Sequence, residues 1–332
     1  VLNDKVILIT GGTGSFGHKF TETIFRKYEP KKIIIYSRDE HKQLMMRERF
    51  RRHEKKMRYF IGDVRDKDRL MMAFEGVDIV IHAAALKQVQ VMEYNPIEAV
   101  KTNIYGAENV INSALDRNVN KVIALSTDKA VYPVNLYGAT KMVSDKLFVN
   151  ANAYQGSKDI SFSVVRYGNV AGSRGSVIPY FKSILELGGK KLPITDFGMT
   201  RFWVNLDEGV ELVFKAIDTA RGSEILVSKS PSFKIPDLAR AMNSHVELEE
   251  VGIREGEKLH EWMITKEDSR KTYDFGNHYI IYPETNWWDK SRHFTPGGSK
   301  VGEDFEYSSQ RNDTWLDVDE IKKELKKLDT VA

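Results

Sequence analysis

Tyr137 and Lys141 stand four residues apart, so a helix through them would hold a phenol and an ammonium on one face. A nearby cation favours the phenolate, and a phenol of lowered pKa is a usable base near neutral pH. The same spacing occurs in Tyr28 with Lys32 and in Tyr154 with Lys158, so spacing alone decides nothing. Position favours Tyr137, which comes ten residues after Thr127, in a polar cluster (Ser126, Thr127, Asp128, Lys129) that closes the apolar run 122–125. Strand ends of an open parallel sheet face the ligand crevice, which makes Thr127, Asp128, Lys129, Tyr137 and Lys141 the candidate catalytic set. Adjacent opposite charges such as Asp128-Lys129 are commonly a surface ion pair in a turn. Directly after this strand, they are instead a carboxyl that can give a proton beside an amine that can take one.

The elements that must position these groups can be read around them. Residues 5–10, KVILIT, form a short continuous apolar run, the pattern of a strand covered on both faces. GGTGSFG follows, with Gly11, Gly14 and Gly17 in a G-x-x-G-x-x-G pattern and apolar positions Phe16, Phe20 and Ile24 recurring every four residues. Such a turn lets the backbone approach a pyrophosphate at a helix N-terminus, and Thr13, Ser15 and Phe16 complete the expected contact. The second strand, 31–37, ends in Ser37 and Arg38, with Asp39 arriving later. A carboxylate at this end would receive the ribose hydroxyls of NAD. A small hydroxyl and a guanidinium, with Lys42 nearby, suit a 2′-phosphate, so NADP is the expected cofactor.

The third strand, 57–64, closes on Asp63 and Val64, where a carboxylate can accept the adenine amino group. The fourth runs through VDIVIHAAA, whose small Ala84 lets the cofactor sugars lie close, with Lys87 beyond as a diphosphate contact. Residues 41–56 predict a charged surface helix. A long amphipathic helix carrying Val100, Ile104, Val110 and Leu115 leads into the central strand, with Asn103 as a structural polar group near the site. Strands and helices alternate, so the fold class is α/β, a doubly wound parallel sheet of the Rossmann type. Residues 1–169 are the expected NADP-binding domain, with a returning helix and strand near 206–229. Residues 170–205 and 230–332 are the expected smaller substrate-binding region.

Composition bounds the class. The 332 residues carry 50 Lys+Arg against 47 Asp+Glu, a net charge of +3 without long single-sign runs, which gives no argument for nucleic acid. Without cysteine, disulfides and thiolate metal sites are excluded, and the eight histidines show no paired helical spacing. No metal is expected. The apolar runs are too short to span a bilayer and the N-terminus carries no leader pattern, so a cytoplasmic, membrane-free protein is expected.

Gly11/Gly14/Gly17, HAAA at 82–85, Thr127 and Tyr137-x-x-x-Lys141 together resemble the extended short-chain dehydrogenase/reductase family over essentially the whole chain. Within it, YSRDE, IGDVRD, LSTDKA, LYGATK, RYGNVAGSRGSVIP, MTRFW and GEKLHE resemble the soluble 4,6-dehydratases of UDP-N-acetylglucosamine that invert carbon 5 and begin pseudaminic acid synthesis. The dTDP-glucose type carries Asp-Glu where this chain has Asp128-Lys129. The resemblance implies oxidation at carbon 4 with Tyr137 as base and Thr127 on the same oxygen. Lys129, neutral, then takes the carbon 5 proton, protonated Asp128 gives its proton to the departing 6-hydroxyl, and a hydride returns to carbon 6. It also implies a UDP-N-acetylhexosamine substrate and self-association from dimer to hexamer. Asn169 is the candidate to orient the sugar or phosphate, Arg174, Arg201 and Arg254 are candidate clamps for UDP, and Lys87, Thr195 and Tyr307 are further candidate contacts. A 4-epimerase, a retaining 4,6-dehydratase and an NADP-sensing protein without activity are the alternatives; Asp128 and Lys129 pointing away from the nicotinamide would favour the first.

Overall fold

Val6–Thr10 (β1) is buried at every position because its alternate side chains enter two different cores. Ile7 and Ile9 join Phe20, Ile24, Ile33 and Ile35 on one face, while Leu8 joins Val80, Val110, Phe148 and Phe162 on the other. A computed structural model gives the structure of the chain and describes residues 1–173, 175–285, 287–289 and 294–331.

The chain winds through Ser15–Lys27 (α1), Lys32–Ser37 (β2), Glu40–Arg49 (α2), Met57–Ile61 (β3), Lys67–Ala73 (α3) and Ile79–His82 (β4). It continues through Val89–Tyr94 (α4), Pro96–Val100 (α5), Gly106–Asp116 (α6), Lys121–Thr127 (β5), Leu136–Ala151 (α7) and Ser161–Tyr167 (β6). The first six strands lie parallel in the order β6-β5-β4-β1-β2-β3. The charged segment 41–56 is only partly α-helical, ending as a 3₁₀ helix over Arg51–Lys56. The expected long helix is interrupted by a π-helical turn, Lys101–Tyr105. That turn holds Asn103, whose amide bonds the Leu86 backbone through both its oxygen and its nitrogen and donates to Thr140 Oγ1 at 3.0 Å. One side chain thus ties the loop after β4 to α7.

Val177–Glu186 (α8), Lys191–Ile194 (β7), Thr200–Phe202 (β8) and Leu206–Thr219 (α9) follow, and Ile225–Ser228 (β9) returns parallel to β6. Asn205 caps α9 in a reciprocal box with Glu208, which starts the helix sharply after Val204, itself bridged to Val170. The remaining elements are Ser232–Lys234 (β10), Ile235–Met242 (α10), Glu247–Glu250 (β11), Trp262–Ile264 (β12), Thr272–Asp274 (β13), His278–Ile281 (β14), Ser299–Lys300 (β15), Tyr307–Ser308 (β16) and Val318–Val331 (α11).

Here the architecture departs from the division expected for 230–332. Strands β14, β13 and β15 extend the main sheet antiparallel beyond β9, making ten strands among the described residues. The apolar run of β14 is short but buried throughout, and an antiparallel hairpin needs only a tight turn to join an edge. The second region is held by a separate core of Ile178, Phe181, Leu192, Trp203, Leu238 and Ile321. Among the described residues, no helix is long and apolar enough to cross a membrane.

Candidate active site

One cavity of about 1080 Å³ runs from the glycine turn, across the C-terminal ends of the parallel strands, to the second region. Gly11 has φ of +65°, and a Cβ there would stand 2.8 Å from Ala84 Cα, so only glycine lets the turn lie against the small residues after β4. Gly14 begins α1 with no side-chain cap, leaving the first-turn N–H groups suited to an anion. Thr13, Ser15, Phe16, Ala84 and Lys87 line the same end, and this cradle fits a dinucleotide diphosphate. Gly17 does not line it. A Cβ on Gly17 would fall 2.0 Å from the Gly12 carbonyl oxygen, so its role is close packing of helix against turn, a correction to its expected ligand contact.

At the far end of this stretch Ser37, Arg38, Asp39, Lys42, Asp63 and Val64 all reach the cavity. Asp39 is occupied as the cap of α2, accepting from the Lys42 backbone at 3.0 Å and pairing with Lys42 Nζ at 2.7 Å. Asp63 accepts from Arg65 at 2.7 Å and lies 3.5 Å from Arg38. Burial opposes ionisation there, but Arg65 and Arg38 hold the carboxyl below its ordinary value. A half-exposed Arg38, only loosely engaged, is the group best placed to turn toward a phosphate.

The chemistry-bearing groups converge where β5 ends. After Thr127 the chain makes a 3₁₀ turn, Asp128–Ala130, and re-enters α7 at Leu136 with Asn135 as cap, its side chain accepting from Gly138 N at 2.8 Å. A Cβ on Gly138 would sit 2.1 Å from the Lys129 carbonyl oxygen. The glycine beside Tyr137 is therefore what lets α7 press against the Lys129 turn. Gly138→Ala is expected to cost about 1–3 kcal/mol of stability through overpacking, lowering Tm, and to reduce turnover by moving Tyr137 and Lys129 apart; thermal melts with a turnover assay check both.

Thr127, Lys129, Tyr137, Lys141 and Asn169 line the cavity. Lys129 Nζ donates to Asn169 Oδ1 at 2.8 Å and Asp128 Oδ1 at 3.1 Å, and lies 3.2 Å from Glu261 Oε1. Asp128 is wholly buried and sits behind the cavity wall, its Oδ1 also accepting from Thr127 Oγ1 at 3.0 Å. Its buried Oδ2 has no hydrogen-bond partner among the described residues. Burial drives the Asp128 pKa up against the pull of Lys129, which suits a carboxyl that can take a proton from its neighbour. Its direct reach to substrate is corrected: Thr127 and Lys129, not Asp128, face the cavity.

Two expected charge states are corrected as well. Burial alone would lower the Lys129 pKa, but Asp128 and Glu261 outweigh it and hold the ammonium charged above its ordinary value. Burial pushes Tyr137 up to about 12, and the cation that most offsets this is Lys129, with the Thr127 hydroxyl also acting to lower it. Lys141, expected in that role, donates to the Leu125 carbonyl at 2.7 Å and is lowered by its own burial.

Toward the second region, Thr195 and Arg201 line the cavity and Arg254 lies at its mouth, 5.9 Å from the Tyr180 ring. Arg201 donates to the Thr200 and Leu259 carbonyls at 2.7 and 3.2 Å, which fixes its guanidinium beside the cavity. Arg174 lies outside the described residues. Tyr307 is corrected: it is buried, its hydroxyl donates to Ser230 O and accepts from Ser230 N, and its ring packs on Phe202 and Tyr279. It is a core residue that does not reach the cavity. Sequence reasoning missed Lys258 and Glu261, both cavity-lining and both buried. The spacing of GEKLHE, with a Lys and a Glu three apart, was the available signal.

Comparison with known proteins places this arrangement. A family model described as polysaccharide biosynthesis protein matches residues 7–283. The UDP-N-acetylglucosamine 4,6-dehydratase (inverting) of Campylobacter jejuni is 53% identical over 326 residues, 97% of each chain. A UDP-glucose 4-epimerase of Rickettsia akari is 41% identical over 99% of this chain and 97% of its own. The X-ray structure of Pen from Bacillus thuringiensis is similar with a TM-score of 0.89 and 34% identity, covering 99% of both chains. From its doubly wound sheet to its tyrosine and lysine at the central strand end, the chain belongs to the polysaccharide biosynthesis protein family, on the plan of the extended short-chain dehydrogenase/reductases.

Proposed function

We propose that the chain is a UDP-N-acetylglucosamine 4,6-dehydratase that inverts carbon 5, with NADP as cofactor. The observation that carries this is Lys129: an amine inside the cavity, 3.1 Å from a buried carboxyl of raised pKa and next to the tyrosine helix. The high identity to a dehydratase of that specificity supports it. Bound NADP supplies hydride acceptance from carbon 4 and its return to carbon 6; its diphosphate fits the Gly11–Gly14 cradle, and Arg38 and Lys42 suit its 2′-phosphate.

Tyr137 takes the proton of the 4-hydroxyl, with Thr127 hydrogen-bonded to the same oxygen and Lys129 lowering the cost of the phenolate. The 4-ketone acidifies carbon 5. Lys129 takes that proton once its own has been passed to Asp128, the adjacent store, and Thr127 links Asp128 to the departing 6-hydroxyl. Tyr137 returns a proton to carbon 5 from the opposite face, which inverts it. Lys87, Asn169, Thr195, Arg201 and Arg254 are the proposed substrate contacts, with the two arginines suited to the diphosphate of UDP. Cytoplasmic pseudaminic acid synthesis by a self-associated enzyme belongs to the same proposal.

Incubation with UDP-N-acetylglucosamine is expected to give a product lighter by one water with no net change in NADP. An isomer of unchanged mass would favour the second reading, a 4-epimerase, which the recessed Asp128 and the 41% identical relative keep open. Cofactor choice has its own check. Arg38→Ala is expected to weaken NADP binding about 10- to 100-fold, the loss of one or two charge-assisted bonds, and to leave NAD binding nearly unchanged in calorimetric titrations.

A further inference from the structure

In the cavity wall lies a buried charge cluster centred on Glu261, a residue to which the proposed steps give no part. Glu261, at the foot of β12, is 2% exposed. Its Oε1 lies 3.2 Å from Lys129 Nζ and 3.9 Å from Arg201 Nε, and its Oε2 lies 2.8 Å from Lys258 Nζ. Lys258 is fixed in turn on the Val131 carbonyl at 2.9 Å. One carboxylate thus faces three cations, and only Lys129 of the three also touches a second carboxyl, Asp128. The titratable groups acting on Lys129 are Asp128 from its own turn, Glu261, Arg201 from β8 and Tyr137 from α7.

We propose that Glu261 is a positioning residue that sets the pH at which Lys129 becomes a base and steadies the ammonium formed when Lys129 takes the carbon 5 proton. The inference rests on the dehydratase reading. In that step the C5–H bond breaks, its electron pair enters the enolate of the 4-ketone, and its proton joins the Lys129 lone pair. The positive charge so created forms 3.2 Å from a carboxylate already committed as an anion by Lys258 and Arg201. Burial works against that anion, but Lys129, Arg201 and Lys258 hold Glu261 ionised. The arrangement trades a higher working pH for a better stabilised product of the proton transfer. Glu261 reaches this through Lys129, with no bond to the sugar required.

The test is the pH profile of deuterium entry at carbon 5 from heavy water, measured on UDP-N-acetylglucosamine turnover by wild type, Glu261→Gln and Glu261→Asp. With the carboxylate removed, Lys129 loses an anion, and the acidic limb of the Glu261→Gln profile is expected to move down by about one pH unit or more. Its plateau is expected to fall about tenfold or more. Glu261→Asp, which draws the carboxylate back by one methylene, is expected to shift the limb the same way by less. Should Glu261→Gln fail to fold, the Asp variant alone decides. Lower rates with the limb unmoved in the folded variants would overturn the inference and reduce Glu261 to a structural brace. A wild-type enzyme that exchanges no deuterium and loses no water would instead overturn the dehydratase reading.

Discussion

Lys129→Gln is expected to stop water loss from the sugar while a 4-keto sugar that has kept its 6-hydroxyl still accumulates. Glutamine keeps a donor for Asn169, 2.8 Å away in the parent, but has no lone pair basic enough to take the carbon 5 proton. Removing a general base costs about 10²- to 10⁴-fold, so formation of the 6-deoxy product should fall by that factor. Oxidation at carbon 4 should slow less, through the loss of the cation that most offsets the burial of Tyr137. Breaking a buried pair commonly costs about 3–5 kcal/mol. Here Glu261 keeps Lys258 and Arg201, and Asp128, whose pKa burial already raises, can stay neutral, so the fold is expected to survive with a lowered Tm. Rapid-quench analysis of the sugar separates the two steps. A 4-epimerase would lose only as much turnover as its carbon 4 oxidation loses, because exchange at carbon 4 alone needs no base at carbon 5.

Tyr137→Phe is expected to abolish both steps, with turnover down about 10²- to 10⁴-fold. Tyr167 is a second phenol on the cavity, but burial drives its pKa up, so it offers no substitute base. The parent should itself be pH-dependent in a defined sense. With Tyr137 pushed up to about 12 in the ligand-free protein, kcat/KM is expected to rise as pH rises through the alkaline range. In Lys129→Gln, which removes the main opposing cation, that rise should move to higher pH still. Initial rates across pH in the two proteins check the direction.

How much of this could be read from the chain alone follows from locality. The glycine turn, the strand ends and the Tyr137 helix were legible because each is set by a short run: KVILIT buried on both faces, Gly11 at positive φ, Asn135 capping a helix three residues before Gly138. The alternation of strands and helices up to Tyr167 follows from the same local patterns. What escaped is fixed by distant partners. Tyr307 and Arg201 are both polar-ended residues in short strands, yet one closes on Ser230 in the core and the other faces the cavity. Nothing within a few residues of either distinguishes them. The charge on Lys129 depends on Glu261, 132 positions away and brought back by β12. The spacing of Tyr137 and Lys141 does not reveal which cation acts on the phenol, because helical spacing shows which residues share a face but not where an ammonium is tied, here on the Leu125 carbonyl. The joining of β13–β15 to the main sheet was likewise hidden, since a three-residue strand carries too little pattern to name its neighbour.

The central claim, that an amine at the end of β5 takes the carbon 5 proton so that water can leave the sugar, is tested most directly by one NMR spectrum. UDP-N-acetylglucosamine is turned over in heavy water and the product is read for its carbon 6 methyl, its carbon 4 ketone and the label at carbon 5. The account predicts a 6-deoxy-4-keto sugar carrying deuterium at carbon 5 in the inverted configuration. A sugar changed only at carbon 4, with its 6-hydroxyl intact and no deuterium at carbon 5, would contradict it.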